Sequence, residues 1–256
     1  MSLALDINSL CLERFNDYDN LLIDGKRARV PYFINLIQAD LTTEMRNQGI
    51  SDELIKGVFG VFGTEKIPFG WNKGKGTPEQ ISDAVRKVAE IYGYDLSIAT
   101  GEGIRNLMRM CGIGIECSGL VYNLLDYALK KIEYKKDLRV MLGLDEFKNR
   151  AVYRAGVGAF ARNSQKIEFS SVEPLDLLLT KSEEGEYLHM GIVIEKNKEL
   201  YLCQATNSIY PDGVNMSRLT FDKQDIPDVE TKRVLGYPWK TLIAENRLEF
   251  GRLDLQ

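Results

Sequence analysis

The stretch Gly112-Ile113-Gly114-Ile115-Glu116-Cys117-Ser118-Gly119-Leu120-Val121 places a cysteine directly after a glycine-punctuated run. Apolar residues then recur at the i, i+3, i+4, i+7 spacing of an amphipathic helix, which predicts a helix beginning at Cys117. They are Leu120, Val121, Leu124, Leu125, Ala128 and Leu129. We expect the unpaired N–H groups at the start of this helix to lower the pKa of Cys117 and to be able to hold an oxyanion. The pattern therefore indicates a nucleophile.

A nucleophilic cysteine needs a base, and His189 is the only histidine in the chain. It lies in the run Tyr187-Leu188-His189-Met190-Gly191-Ile192-Val193-Ile194, whose apolar and β-branched residues predict a strand. Cys–His chemistry in this protein therefore requires the pair Cys117 and His189.

The two motifs, E-C-S-G-L-V at a helix start and H-M-G-I-V-I on a later strand, resemble those of the NlpC/P60 family of papain-like cysteine peptidases. That family has D-C-S-G-φ-V and H-V-G-I-φ-φ, where φ is apolar, and a third polar residue on the next strand, whose place Gln204 matches. Glu116 stands where the family usually has aspartate, and a carboxylate beside Cys117 can raise the thiol pKa by repulsion. The resemblance covers about residues 100 to 240.

The resemblance implies hydrolysis of an amide bond in a peptide of the bacterial cell wall. Cys117 would attack the carbonyl, and His189 would protonate the leaving amine. Glu116 and Ser118 are candidate substrate-binding residues. Trp71, in the glycine-rich segment 68–76, loosely matches an aromatic segment that lines the substrate cleft in the family. The segment fits neither a Walker loop nor a dinucleotide fingerprint.

Strand parity predicts how Gln204 would act. With a two-residue loop at Lys196 and Asn197, His189 and Gln204 would lie directly opposite each other on one face of a hairpin. The amide oxygen of Gln204 would accept a hydrogen bond from one ring nitrogen and turn the other toward Cys117. Asn207 is the alternative orienting residue if the hairpin is irregular.

Composition limits the possible partners. A net charge of −4 disfavours nucleic acid as a partner, and no stretch reaches the ~20 apolar residues of a membrane span.

The four cysteines are too scattered for a disulfide framework, and one histidine gives no structural zinc spacing, so we expect neither a metal nor another cofactor. No export signal is seen, so we expect either action inside the cell or a leader missing from the sequence given. The oligomeric state is not indicated.

The order of elements predicts an α+β fold, with the Cys117 helix packed on an antiparallel sheet as in papain-like proteins. We expect a helical N-terminal region over residues 1–99, able to pack on a catalytic domain over residues 100–256 with an insertion at 132–165. The helices predicted are 8–18, 29–44, 51–61, 78–92 between Thr77 and Gly93, and 103–110. The strands predicted are 166–169, 174–180, 189–195, 200–205 and 232–237.

There are three alternatives to this function. The same scaffold could transfer an acyl group to an amine instead of water. It could also be a binding module without catalytic activity. A glycosidase would need a pair of positioned carboxylates, and the acids of the sequence suggest no such pair.

Overall fold

The computed structural model describes residues 3–33, 46–47, 49, 51–53, 55–56, 74–207, 212–222, 227–229, 233–234 and 237–255. Within them the fold is mixed α and β, as the sequence predicts. The helices are α1 (Leu3–Asp19), α2 (Pro78–Tyr92), α3 (Gly101–Met110), α4 (Cys117–Lys131), α5 (Leu138–Met141), α6 (Ala151–Arg154), α7 (Val157–Arg162) and α8 (Trp239–Ala244), with 3₁₀ turns at Asp145–Arg150 and Phe169–Ser171.

Seven strands form one antiparallel sheet in the order β3-β11-β4-β5-β6-β7-β8. They are β3 (Ser164–Ile167), β4 (Leu177–Lys181), β5 (Tyr187–Lys196), β6 (Glu199–Thr206), β7 (Gly213–Phe221), β8 (Pro227–Val229) and β11 (Leu248–Leu253). Two further antiparallel pairs join β1 (Leu21–Ile23) to β2 (Lys26–Ala28) and β9 (Arg233–Val234) to β10 (Tyr237–Pro238).

Helix α2 shows how local sequence fixes its own ends. Thr77 is the N-cap, its hydroxyl accepts a hydrogen bond from the Gln80 N–H at 3.3 Å, and the Gln80 side chain accepts from the Thr77 N–H at 2.9 Å. Gly93 ends the helix with a φ of 63°, a conformation that glycine adopts without steric cost. The predicted capping box and glycine stop are both confirmed.

Helix α1 shares a hydrophobic core with later parts of the chain. Ile7 and Phe15 of α1 belong to the same buried cluster as Leu124 of α4 and Ile192 of β5. The Asn8 side chain also pairs with the backbone of Glu195, donating to its carbonyl at 2.9 Å and accepting from its N–H at 2.8 Å. Helix α1 therefore packs on the remainder of the chain, and the division into two regions near residue 99 stays a prediction.

The sheet has one core on each face. Helices α1 and α4 pack on the face of β5 that presents Met190 and Ile192. Trp239 and Leu242 of α8 cover the other face, where Val193 is buried. The site is positioned where the start of α4 meets β5.

Several predicted elements differ from those observed. Residues 29–33 are not helical as expected, because Tyr32 forms a parallel bridge with Ile115; residues 34–45 and most of 51–61 lie outside the described part. The segment 132–165 folds into three short helices and a 3₁₀ turn before β3 begins, and it adds Leu138 and Phe160 to the core. Strands β1, β2, β7, β8 and β11 were not predicted. No helix of the described residues is long and apolar enough to cross a membrane.

Candidate active site

Cys117 begins helix α4, as the sequence predicts, and Glu116 is the N-cap residue in an extended conformation. The glycines before and after the cysteine allow close backbone approach. A Cβ on Gly114 would lie 2.7 Å from the carbonyl oxygen of Pro31, and one on Gly119 only 2.1 Å from that of Gly74. The elbow that carries Cys117 is therefore enclosed by two segments from the first hundred residues.

Backbone hydrogen bonds hold these segments in place. Phe33 N–H donates to the Ile115 carbonyl at 3.0 Å, and Ile115 N–H donates to Pro31 at 3.1 Å. On the other side, Glu116 N–H donates to Gly74 at 3.0 Å. This support for the elbow was not predicted, since the sequence gives no local sign of pairing between such distant residues.

His189 lies on β5 and Gln204 on β6, and both side chains are fully buried. The hairpin turn is at Asn197 and Lys198, both with positive φ, and not at Lys196 and Asn197 as expected. The loop still has two residues, so the two side chains share a face. The register is displaced by two, however, and Gln204 lies beside Gly191 instead of directly opposite His189.

The side chains nevertheless meet, because Gly191 leaves room between them. A Cβ at Gly191 would lie 2.6 Å from Leu202 Cδ1 and 3.3 Å from the Cβ of Gln204. His189 Nε2 is 2.7 Å from Gln204 Oε1, which is the predicted hydrogen bond. An amide oxygen can only accept, so we assign the proton to Nε2. The other nitrogen, Nδ1, then carries a lone pair and is buried without a partner among the described residues.

Cys117 reaches β5 at the residue that follows His189. The backbone N–H of Met190 is near enough to the Cys117 thiol to favour its thiolate form. Met190 faces the core below α4, so strand alternation places the His189 side chain on the opposite face of β5. Within the described residues the thiol and Nδ1 are not hydrogen-bonded to each other. Catalytic hydrogen bonds are often long or misaligned before substrate binds.

Burial determines the charge state of both groups. It raises the pKa of Cys117 to about 11, and the neighbouring Glu116 carboxylate adds to the effect; the Met190 N–H, the Lys75 charge and the Ser118 N–H oppose it. The expected lowering of the Cys117 pKa is therefore wrong, because desolvation outweighs the helix N-terminus. Burial also lowers the pKa of His189 to about 4, although the bond to Gln204 and the charge of Glu116 favour its protonated form. At neutral pH the pair is a thiol and a neutral imidazole.

Lys75 is a site residue that the sequence analysis missed. Its ammonium forms an ion pair with Glu116 and donates to Ser118 Oγ at 2.5 Å and to the Ala155 carbonyl at 3.1 Å. Glu116 and Ser118, the predicted substrate-binding residues, thus bind Lys75 in this structure, and their role toward substrate stays a prediction. The glycine-rich segment 68–76 matched no phosphate-binding motif, and the partners of Lys75 lie between about 40 and 80 residues further along the chain.

The other predicted residues are less informative. Trp71 lies outside the described residues. Asn207, the alternative orienting residue, is exposed at the end of β6, and it is Gln204 that contacts His189.

A cavity of about 740 Å³ lies between α1, the β1–β2 hairpin and α2, and neither Cys117 nor His189 lines it. No group of potential ligand residues in the described part of the chain could hold a metal ion.

Comparisons with protein-family models, with curated proteins and with solved structures found nothing that matches this chain.

Proposed function

We propose that this protein is a cysteine-dependent amidase or peptidase in which Cys117 is the nucleophile and His189 the base. One observation carries the proposal. The ring of His189 is held through Nε2 by Gln204, while Nδ1 is buried without a partner among the described residues, and the next residue of the strand, Met190, has its N–H near the Cys117 thiol. A buried polar atom without a partner costs about 1–3 kcal/mol, so such an atom calls for a functional explanation.

The reaction starts from a neutral pair. As Cys117 Sγ attacks the carbonyl carbon of the substrate, Nδ1 of His189 accepts the thiol proton. The imidazolium then gives that proton to the leaving amine, and the carbon–nitrogen bond breaks to leave a thioester on Cys117. Water, deprotonated by His189, attacks the thioester and releases the acid, and the thiolate recovers its proton. Because the pKa values favour the neutral forms, proton transfer accompanies the attack and does not precede it.

The start of helix α4 supplies the remaining element. The N–H groups of its first turn have no partner within the helix and can bind the oxyanion that forms on the substrate carbonyl. Each such donor contributes about 3 kcal/mol in enzymes where it has been removed. The arrangement of a cysteine helix against an antiparallel sheet supports a papain-like layout of the NlpC/P60 type. The substrate class that the resemblance implies is a peptide or fragment of bacterial peptidoglycan.

A second candidate function is favoured by burial. Cys117 is 4% exposed and His189 is fully buried, as expected of groups that do not react. A binding module with an inactive site would show the same geometry. Acyl transfer would use the same thioester with an amine in place of water.

The deciding experiment uses defined cell-wall peptides and mass spectrometry. The protein, its Cys117→Ala variant and a Cys111→Ala control are incubated with each peptide. Cys111 is also buried, but it lies at the C-terminal end of helix α3 and not at a helix start. Hydrolysis by the protein and by Cys111→Ala, but not by Cys117→Ala, supports the proposal. Acyl groups found on an added amine indicate transfer. No product, together with a Cys117 that iodoacetamide leaves unmodified, contradicts the proposal and favours the binding module.

A further inference from the structure

The ammonium of Lys75 is enclosed beside the candidate nucleophile. Its side chain is 7% exposed, and its three N–H bonds match three acceptors, on Glu116, Ser118 and Ala155. The Ser118 hydroxyl closes the network by donating to Glu116 Oε1 at 2.8 Å. Lysine is seldom buried unless it is paired, so this arrangement is a built feature of the site.

The backbone of Lys75 is fixed as firmly as its side chain. Lys75 forms an antiparallel bridge with Ile115, and its carbonyl accepts a hydrogen bond from Asn123 Nδ2 at 3.1 Å. Asn123 lies on α4 beyond the first turn, so Lys75 is bound on both sides of Cys117 along the chain. Small movements of the first turn are therefore resisted from two directions.

The charges of this network act on Cys117 in opposite senses. The Glu116 carboxylate raises the pKa of the thiol, and the Lys75 ammonium lowers it. Without Lys75, an uncompensated carboxylate would lie next to the atom that must become anionic during attack.

We propose that Lys75 is a positioning residue of the candidate active site: its ammonium neutralises Glu116 and holds Glu116 and Ser118 in place on either side of Cys117. This inference rests on the proposed function, in which Cys117 is the nucleophile. Lys75 acts through its neighbours and does not touch the reacting atoms.

Loss of stability alone cannot establish this role. Breaking a buried ion pair from one side destabilises a protein whatever the pair does. The distinguishing readout is therefore the titration of Cys117, which a purely structural ion pair would leave unchanged.

The experiment compares four proteins: the unaltered chain, Lys75→Met, Glu116→Gln and the double variant. The rate at which iodoacetamide modifies Cys117 is followed against pH by peptide mass spectrometry, with thermal unfolding measured in parallel. We expect the pH midpoint of the Cys117 alkylation rate to rise in Lys75→Met and to fall in Glu116→Gln. Below that midpoint the alkylation rate should change by roughly tenfold or more. The double variant should return close to the unaltered chain. If Cys117 is too enclosed to react, the ultraviolet absorbance of the thiolate, taken against Cys117→Ala, gives the same titration.

Each outcome decides the proposal. Midpoints that stay constant, or that move in one direction for both single variants, would overturn it. If Lys75→Met does not fold, Glu116→Gln and the double variant still differ only in Lys75, and identical titrations for those two would reject the role. Because alkylation needs no turnover, shifted midpoints in a protein that cleaves no peptide would retain the electrostatic role of Lys75 while rejecting the proposed function.

Discussion

The two halves of the candidate site are built in opposite ways. The helix side comprises Lys75, Glu116, Cys117 and Ser118, and the sheet side comprises Thr180, His189 and Gln204. On the helix side the ammonium of Lys75 has an acceptor for every proton. On the sheet side one hydrogen bond joins His189 to Gln204, while three buried polar atoms lack partners among the described residues: Thr180 Oγ1, His189 Nδ1 and Gln204 Nε2.

The polar contacts of the helix side are explained by the fold alone, and the unpaired atoms of the sheet side are not. The ion pair and hydrogen bonds of the helix side satisfy one another, so they are explained by the fold alone. Burying the unpaired atoms of the sheet side lowers the free energy of unfolding, and no hydrogen bond among the described residues offsets this loss. We infer that Lys75, Glu116 and Ser118 are a fixed support for Cys117, and that the unpaired Nδ1 of His189 is the atom available to the proposed reaction.

The largest expected effect comes from replacing His189, the residue of the sheet side that is proposed to act as the base. We expect His189→Gln to lower turnover at neutral pH by roughly 10³-fold or more, because the chain has no second histidine to act as base. Steady-state hydrolysis of a peptide that the unaltered protein cleaves measures this effect. Turnover that survives the substitution would rule out Cys–His chemistry.

A smaller loss is expected when Gln204 is replaced. Gln204→Ala removes the acceptor 2.7 Å from His189 Nε2, so the ring loses its orientation. We expect turnover to fall by one to three orders of magnitude, on the order of 1.4 to 4 kcal/mol. Gln204→Glu keeps an acceptor at this position and should retain more activity, with a pH profile displaced upward because a carboxylate favours imidazolium. Equal activity in both variants would contradict an orienting role.

The contact between His189 and Gln204 could be predicted because the two residues are close together in the sequence. His189 and Gln204 are 15 residues apart in one hairpin, and parity requires only an even loop. The loop was predicted one residue too early, which displaces the strand pairing by two residues, because the sequence Lys196-Asn197-Lys198 permits two turns. In the observed turn both Asn197 and Lys198 adopt positive φ, which is uncommon for lysine.

The helix side could not be predicted in the same way. The partners of Lys75 are far along the chain, and no periodicity or cap links them. The pKa of Cys117 was predicted in the wrong direction for a related reason, since burial is a property of the whole fold and not of the helix start. Residues 29–33 likewise depart from their predicted helix because Val30 and Phe33 bond to backbone groups of β7 and the elbow.

Acid should destabilise the protein through the sheet side. The pKa of His189 is lowered from 6.5 to about 4 by burial, so below pH 6.5 the unfolded chain binds a proton that the folded protein does not. Its contribution to stability is complete above pH 6.5 and is lost as the pH falls to about 4, amounting to about 3 kcal/mol. Urea unfolding at several pH values measures this. His189→Gln should flatten the profile by that amount, and an unchanged slope would show that folding does not lower the pKa of His189.

The smallest predicted effect tests whether the unpaired atoms of the sheet side are truly unsatisfied. Thr180 is fully buried and pairs with His189 across β4 and β5, yet its hydroxyl has no partner in the described structure. Thr180→Val replaces the hydroxyl with a methyl group of similar shape and should raise the free energy of unfolding by about 1 kcal/mol, since an unpaired hydroxyl in an apolar environment is unfavourable. Ser217→Ala is the matched control, because the buried Ser217 hydroxyl donates to Asn215, and its loss should lower stability by about 1 kcal/mol. Urea unfolding of the two variants decides the question. If Thr180→Val destabilises the protein as much as the control does, the hydroxyl has a bound partner in solution, and the contrast between the two sides of the site would have to be withdrawn at this position.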